Sequence, residues 1–145
     1  MQHRVTEMRR FTEEDYNKIT SQIIESAIEV HKELGPGLLE SVYEVCLISA
    51  MKDRGLYVQN QVVLPVFYKG EELDKDFVID VLVNDLIVVE LKAIEVLLPI
   101  HEAQLVTYLK LSNKKLGLLI NFNAPLLKEG IRRRINGNLN AQCPQ

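Results

Sequence analysis

Apart from a turn at Asn84-Asp85, three charged residues interrupt the apolar stretch FVIDVLVNDLIVVELKA at positions 77–93. Asp80, Glu90 and Lys92 stand among side chains typical of a sheet interior, where burial of an uncompensated ion costs several kcal/mol or more. Glu90 and Lys92 are two residues apart, so their side chains leave the same face of a strand. An ion pair at a strand end would explain these charges, and so would a site that uses them for chemistry.

Other polar residues occur on faces of predicted helices that should meet the sheet. Glu40 shares one helical stripe with three residues expected in the core, Tyr43, Leu47 and Met51. On a later helix, Gln104 and Tyr108 are four residues apart and share a face. Each also has an ordinary interpretation: a rim glutamate favoured by the helix dipole, and two half-buried polar residues with hydrogen-bond partners.

Considered together, the polar residues come from four predicted elements and suit one kind of chemistry. They are Glu40, Asp80, Glu90, Lys92, Gln104 and Tyr108. Mg²⁺ is bound by hard oxygen ligands, usually one or two carboxylates with waters and phosphate oxygens. A neighbouring lysine can orient a water or neutralise charge that develops on a phosphate. Although Asp-x₉-Glu-x-Lys alone is a loose pattern, its placement across neighbouring strands favours a Mg²⁺ or Mn²⁺ site.

The hydrophobic pattern predicts the elements that must position these residues, in the order α-α-β-β-β-α-β. Helices are expected at 12–34, 38–54 and 99–111, with Thr12 to Asp15 as an N-terminal cap and Gly35-Pro36-Gly37 as the first stop. Strands are expected at 61–68, 77–83, 86–92 and 115–122. Because 77–83 and 86–92 are apolar on both faces, we expect a three-layer α/β domain with helices on both sides of the sheet.

Length and composition limit the class of protein. A chain of 145 residues predicts one domain over 1–145, with a polar, basic tail from about 124. No apolar run approaches the roughly 20 residues that span a bilayer, and residues 1–10 lack a signal pattern. Two cysteines, Cys46 and Cys143, make neither a disulfide framework nor a zinc site, which favours the cytoplasm.

The net charge of −3 argues against a general polyanion-coating protein, but local basic runs remain. They are Lys110, Lys114, Lys115, Lys128, Arg132, Arg133 and Arg134. Such runs are solvated faces at least as often as they are phosphate-binding patches. Homo-oligomerisation is left open by the sequence.

One segment carries a recognisable pattern. GLLESVY, at 37–43, matches the pattern that names the GxxExxY proteins, and HKELGPGLLESVYE, ELKAIEVLLPIHEAQLVTYLK and GLLINF extend the similarity over about 19–122. The chain therefore resembles the GxxExxY family, which is similar to the PD-(D/E)XK nuclease superfamily. This resemblance implies a restriction-endonuclease-like α-β-β-β-α-β core with a mixed central sheet. It also implies that Asp80 and Glu90 are metal carboxylates, that Glu40 joins the metal site and that Lys92 is the catalytic lysine.

The same resemblance covers the third helix and contains two departures. Gln104 and Tyr108 match a Q-x-x-x-Y element of branches related to recombination exonucleases, which implies substrate positioning. Ile79 stands where the superfamily name has proline, a position that shapes a strand end rather than doing chemistry. Val78 occupies a position where many relatives carry a polar or basic residue, so substrate contact there is not expected.

Two functions follow from these residues. We favour a metal-dependent phosphodiesterase acting on nucleic acid, DNA more than RNA; the alternative is a non-catalytic module that binds nucleic acid or protein with the same fold. The catalytic interpretation makes a geometric prediction. A two-residue turn at Asn84-Asp85 would put Asp80 on the opposite face from Glu90 and Lys92. We therefore expect a three- or five-residue connection, or a β-bulge.

Overall fold

Residues 11–139 are described by a computed structural model, and they form a three-layer α/β arrangement. The helices are α1 (Glu13–Leu34), α2 (Glu40–Asp53) and α3 (Pro99–Ser112). The strands are β1 (Val58–Tyr68), β2 (Glu71–Val83), β3 (Ile87–Lys92), β4 (Leu116–Asn121) and β5 (Ile131–Ile135). They make one mixed sheet in the order β1-β2-β3-β4-β5, in which β3 and β4 are parallel and the other neighbours are antiparallel. The expected α/β fold with a mixed sheet and helices on both faces is confirmed.

A capping box defines the start of the first helix, and backbone conformation defines the start of the second. Thr12 and Asp15 form the predicted capping box, in which Asp15 N donates to Thr12 Oγ1 at 3.2 Å and Thr12 N donates to Asp15 Oδ2 at 2.8 Å. Helix α2 begins at Glu40, two residues later than expected, because Gly37 has φ +101° and Leu39 is extended. Glu40 therefore occupies the first turn of α2, where the helix dipole favours a carboxylate.

Each face of the sheet has its own apolar core. Helices α1 and α2 cover one face, with a large cluster that includes Ile23, Leu47, Met51, Val89 and Leu118. Helix α3 covers the other face, with a smaller cluster of Ile79, Leu82, Val88, Leu105, Leu109 and Leu119. Gly117 lets α3 approach closely, since a Cβ there would lie 2.7 Å from Leu105 Cδ1.

The β1–β2 hairpin extends beyond the helices. Strand β2 is exposed from Glu71 to Val78 and buried from Ile79 onward. The expectation that both faces of 77–83 are covered is therefore wrong for Phe77 and Val78, which are 36% and 38% exposed. Only the inner part of β2 is covered by helices.

The chain beyond position 124 is more structured than the sequence indicates. A 3₁₀ helix at Leu127–Gly130 leads into β5, which pairs antiparallel with β4 along the edge of the sheet. No strand was predicted here because three consecutive arginines break the apolar alternation. Edge strands often carry charged side chains, so a run of arginines does not exclude a strand at the edge of a sheet.

Two expectations that were based on composition can be compared with the structure only for residues 11–139. None of the helices in residues 11–139 combines the length and apolar character needed to traverse a bilayer. Cys46 is a free thiol, whereas Cys143 and residues 1–10 lie outside the described residues. The cytoplasmic assignment stays a prediction.

Candidate active site

The turn between β2 and β3 determines which side chains meet. The strands are joined by three residues, 84–86, and both Asn84 (φ 53°) and Asp85 (φ 56°) take left-handed conformations. Asparagine and aspartate tolerate this region better than other non-glycine residues. With an odd number of turn residues, the register brings Asp80 opposite Glu90. The predicted change of parity is confirmed in its three-residue form.

The backbone ladder ends just before the two carboxylates. Its last pair is Val81 with Val89. Beyond it, Leu91 N donates to Asp80 Oδ2 at 2.9 Å, and Asp80 N donates to Glu90 Oε2 at 3.2 Å. Carboxylate oxygens thus accept bonds from main-chain amides at the point where the ladder stops. The two carboxylates are held side by side by these main-chain contacts.

A kink in β2 at Asp80 contributes to this arrangement. Ile79 packs in the cluster under α3, but Val81 packs in the cluster on the opposite face. A regular strand would place both on one face. On the neighbouring strand, Gln61 has φ 52° and its Nε2 donates to Glu44 Oε2 of α2 at 3.0 Å. The kink therefore coincides with an irregular residue of β1 that is tied to α2.

Burial changes the pKa of Glu90, one member of this carboxyl pair. Glu90 is only 7% exposed. Burial, and then the nearby charge of Asp80, raise the pKa of Glu90 to about 9. At neutral pH, Glu90 therefore holds a proton next to Asp80. A divalent cation would favour the ionised form of Glu90, because its positive charge offsets the repulsion from the charge of Asp80.

Lys92 and Glu40 lie within electrostatic range of the carboxylate pair. The charge of Lys92, which is half-buried, opposes the rise in the pKa values of Glu90 and Glu40. Glu40 is exposed at the start of α2, yet partial burial of its carboxyl and the charge of Asp80 raise its pKa. Residues from α2, β2 and β3 therefore contribute to one electrostatic cluster.

Helix α3 adds Tyr108 to that cluster but leaves Gln104 at its margin. Burial, followed by the charges of Glu90 and Asp80, raises the pKa of Tyr108. The ring of Phe77 packs edge-on against Tyr108, with 5.4 Å between centroids. Gln104 lies one turn earlier on α3, is exposed, and its side chain makes no hydrogen bond within residues 11–139.

The donor set fits a hard divalent cation, although the expected trio of metal carboxylates is not assembled. Within residues 11–139, no three or more His, Cys, Asp or Glu side chains come together closely enough to hold a metal ion. Asp80 and Glu90 form the close pair, and Glu40 does not join them in a three-ligand cluster. Two carboxylates suffice for Mg²⁺ or Mn²⁺ when waters or substrate oxygens complete the shell.

Asn121 and Phe122, which the sequence reasoning did not single out, hold the chain that follows Lys92. Asn121 is 3% exposed; its Oδ1 accepts from Ile94 N at 3.0 Å and its Nδ2 donates to Ile94 O at 2.9 Å. Phe122 N donates to Lys92 O at 2.9 Å. The sequence did contain a signal: a polar asparagine is the last residue of an apolar strand. An unpaired buried amide would be costly there, so hydrogen-bond partners could have been expected.

The basic runs are largely engaged in surface contacts. Arg134 Nη1 lies 3.3 Å from Glu102 Oε1 of α3, and Arg132 Nε lies 3.8 Å from Glu102 Oε2. Lys114 Nζ contacts Asp85 Oδ1 at 3.2 Å. These contacts partly neutralise the predicted basic patch.

Comparison with known proteins agrees with the arrangement of helices and strands. A model of the PD-(D/E)XK nuclease superfamily matches residues 17–134, which include every candidate site residue. Searches of curated proteins and of solved structures found no match.

Proposed function

Since this chain belongs to the PD-(D/E)XK nuclease superfamily, we propose that it hydrolyses phosphodiester bonds in nucleic acid, DNA more than RNA, with a divalent cation. The observation that carries this proposal is the pair of Asp80 and Glu90 just beyond the last β2–β3 backbone pair, with Lys92 in electrostatic range. A protein that only binds its partner has no need to bury the carboxyl group of Glu90 next to a second carboxyl group, that of Asp80. The non-catalytic alternative is therefore less favoured.

Asp80 and Glu90 would hold the cation. When bound, Mg²⁺ or Mn²⁺ lowers the pKa of a water and offsets negative charge that develops on the phosphate. The pair is suited to this task because Glu90 can release its proton as a cation approaches. Glu40 would add a third negative charge next to the pair.

Lys92 and Tyr108 would act on the substrate rather than on the cation. The ammonium of Lys92 would orient the attacking water and neutralise charge on the phosphorus oxygens. In hydrolysis, the oxygen of water forms the new bond to phosphorus, the bond to the leaving oxygen breaks, and that oxygen gains a proton. The raised pKa of Tyr108 keeps its hydroxyl protonated at neutral pH, so it can donate to a phosphate oxygen. Gln104 would contact the substrate from the same helix.

A cleavage assay tests this proposal. Purified protein is incubated with single- and double-stranded DNA and RNA in Mg²⁺, in Mn²⁺ and in chelator. We expect cleavage of DNA with either cation and none in chelator. Asp80→Asn should abolish cleavage, whereas Asp76→Asn, on the exposed part of the same strand, should cleave like the wild type.

A binding readout separates the two functions. Saturating Mn²⁺ should raise the melting temperature of the wild type through mass action, and Asp80→Asn should remove most of that rise. Equal melting temperatures in Mn²⁺ and in chelator would count against the metal site. Nucleic-acid binding without cleavage under all conditions would favour the non-catalytic alternative.

A further inference from the structure

We infer that Tyr43 is a positioning residue that fixes Glu40 relative to Lys92. This inference rests on the proposed function, because it gives Glu40 a role at the cation site. Tyr43 is fully buried, and it lies one helical turn after Glu40 on α2. Its hydroxyl and its ring make two different connections, one to the loop that precedes Glu40 and one to the strand end that carries Lys92.

The hydroxyl connects the two ends of the loop before α2. Tyr43 Oη donates to Gly35 O at 2.6 Å and accepts from Leu38 N at 3.1 Å. Gly35 and Gly37 have φ values of +69° and +101°, which few other residues adopt. No atom lies within 4 Å of the Cβ position of either glycine, so conformation rather than space favours glycine there.

The beginning of α2 has no other fixed cap. Leu39 occupies the N-cap position, and no side-chain hydrogen bond caps the helix there. Serine, threonine, aspartate or asparagine at this position would define the helix start directly. Here the hydroxyl of Tyr43 supplies the restraint from one turn inside the helix. Only Leu39 separates Leu38 from Glu40. A restraint on the Leu38 amide therefore also restrains the position of Glu40 at the start of α2.

The ring completes the link to the strand end. Tyr43 stacks on Phe122 with 4.7 Å between ring centroids and 8° between ring planes. Phe122 N in turn donates to Lys92 O at 2.9 Å. A phenylalanine at position 43 would keep the stack and the packing but lose both loop contacts. The hydroxyl is therefore the part of Tyr43 that serves the placement of Glu40.

A double-mutant cycle on Mn²⁺ affinity tests this inference. Four proteins are titrated with Mn²⁺ by calorimetry: wild type, Tyr43→Phe, Glu40→Gln, and the double variant. We expect Tyr43→Phe to weaken binding about fivefold and Glu40→Gln to weaken it by at least as much. The double variant should match Glu40→Gln, since the hydroxyl acts through Glu40. Amide exchange at Leu38 and Glu40 should be faster in Tyr43→Phe.

Ile23→Val provides a matched control for stability. Ile23 is fully buried on α1, a helix that carries none of the candidate site residues, and we expect its substitution to lower the melting temperature by a few degrees, as we also expect of Tyr43→Phe. Its Mn²⁺ affinity should equal that of the wild type. Weaker Mn²⁺ binding by Ile23→Val would reduce the Tyr43 effect to general destabilisation and overturn the inference.

The remaining outcomes are also decisive. If Tyr43→Phe weakened Mn²⁺ binding by the same factor in the wild type and in Glu40→Gln, Tyr43 would not act through Glu40. If Glu40→Gln bound Mn²⁺ with the affinity of the wild type, Glu40 would have no role at the cation site, and the positioning role of Tyr43 would be wrong. Neither result affects the proposed function, which instead fails if Asp80→Asn cleaves DNA at the wild-type rate.

Discussion

The two faces of the sheet differ in what they bury. The face under α1 and α2 packs a large apolar cluster around residues such as Leu47 and Leu118. The face under α3 packs a smaller cluster, and beside it lie Glu90, whose pKa is raised by burial, and Tyr108. Apolar burial stabilises a fold, whereas a desolvated carboxyl pair destabilises it. The larger part of the apolar core therefore lies on one face, whereas Glu90 and Tyr108 lie on the other, which we call the chemical face; Glu40 approaches the same charged cluster from α2.

This division has a physical reason. Side chains alternate between faces along each strand, so one strand can serve both purposes. In β3, Val89 and Leu91 point to the large cluster, while Val88 belongs to the small cluster and Glu90 follows it on the same side. The large cluster can thus hold the strand in place while its other side carries charges.

The largest expected effect is on the chemical face. Lys92→Ala should reduce the cleavage rate about 100- to 1,000-fold, as expected when one group that stabilises transition-state charge is removed. The rise in melting temperature with Mn²⁺ should remain, because lysine is not a ligand. Cleavage and thermal unfolding are measured together, with Lys75→Ala on the exposed hairpin as the control. A wild-type rate in Lys92→Ala would make the assigned mechanism wrong even if Asp80 proved essential.

Neighbouring residues of β4 allow a matched test of the two faces. Leu118 belongs to the large cluster and Leu119 to the small one, and both are fully buried. Truncation to alanine should lower the free energy of unfolding by about 2–5 kcal/mol in each case. Only Leu119→Ala should also slow cleavage in the folded protein, because it loosens the packing of α3, which carries Tyr108. Equal rates for both variants well below their melting temperatures would contradict the division.

The pH dependence of the metal-free protein should come from the chemical face. Because the pKa of Glu90 is raised from 4.5 to about 9, the folded chain holds one more proton than the unfolded chain between these values. Stability must then fall as the pH rises through this window, by up to about 1.4 kcal/mol per pH unit. Urea unfolding in chelator from pH 5 to pH 9 measures this slope.

Glu90→Gln should flatten the slope and stabilise the metal-free protein at pH 8. Mn²⁺ affinity of the wild type should rise with pH over the same window, because the cation displaces a proton. A wild-type unfolding midpoint that does not change between pH 6 and pH 8 would be inconsistent with a protonated Glu90.

The smallest effect is expected at the surface of α3. Arg134→Ala breaks an exposed ion pair with Glu102 and should cost less than about 1 kcal/mol of stability. Because Glu102 already neutralises Arg134, the salt dependence of DNA cleavage should stay the same. A decrease of about one in the steepness of the salt dependence, plotted as log against log of salt concentration, would instead identify Arg134 as a phosphate contact.

Sequence reasoning succeeded where local rules dominate. The Thr12–Asp15 capping box and the change of parity before Glu90 follow from short-range stereochemistry, and both were predicted. The proximity of Asp80 and Glu90 also follows from that parity, since only one register brings both groups to a single cation.

Other features depend on distant contacts and could not be predicted in this way. The kink at Asp80 involves Gln61 of β1, whose conformation is linked to Glu44 of α2. The partial exposure of Phe77 follows from its place next to the point where β2 changes from exposed to buried, where Tyr108 of α3 covers only one edge of its ring. The resemblance implied that Glu40 joins the metal site, and its stripe with Tyr43 predicted only that it points inward or to the rim; a stripe gives direction and not the distance to Asp80 and Glu90, which no three-carboxylate cluster joins within residues 11–139.

The order of strands also affects how this protein avoids aggregation. Within residues 11–139, β1 and β5 are the outer strands of the sheet, and outer strands can pair with other chains to form larger sheets. Strand β5 carries Arg132, Arg133 and Arg134, whose like charges would repel a second copy of that strand. Pro65 in β1 lacks an amide hydrogen and so interrupts pairing at the opposite edge. The arginines that make β5 unlike a strand in sequence therefore also help to keep neighbouring molecules apart.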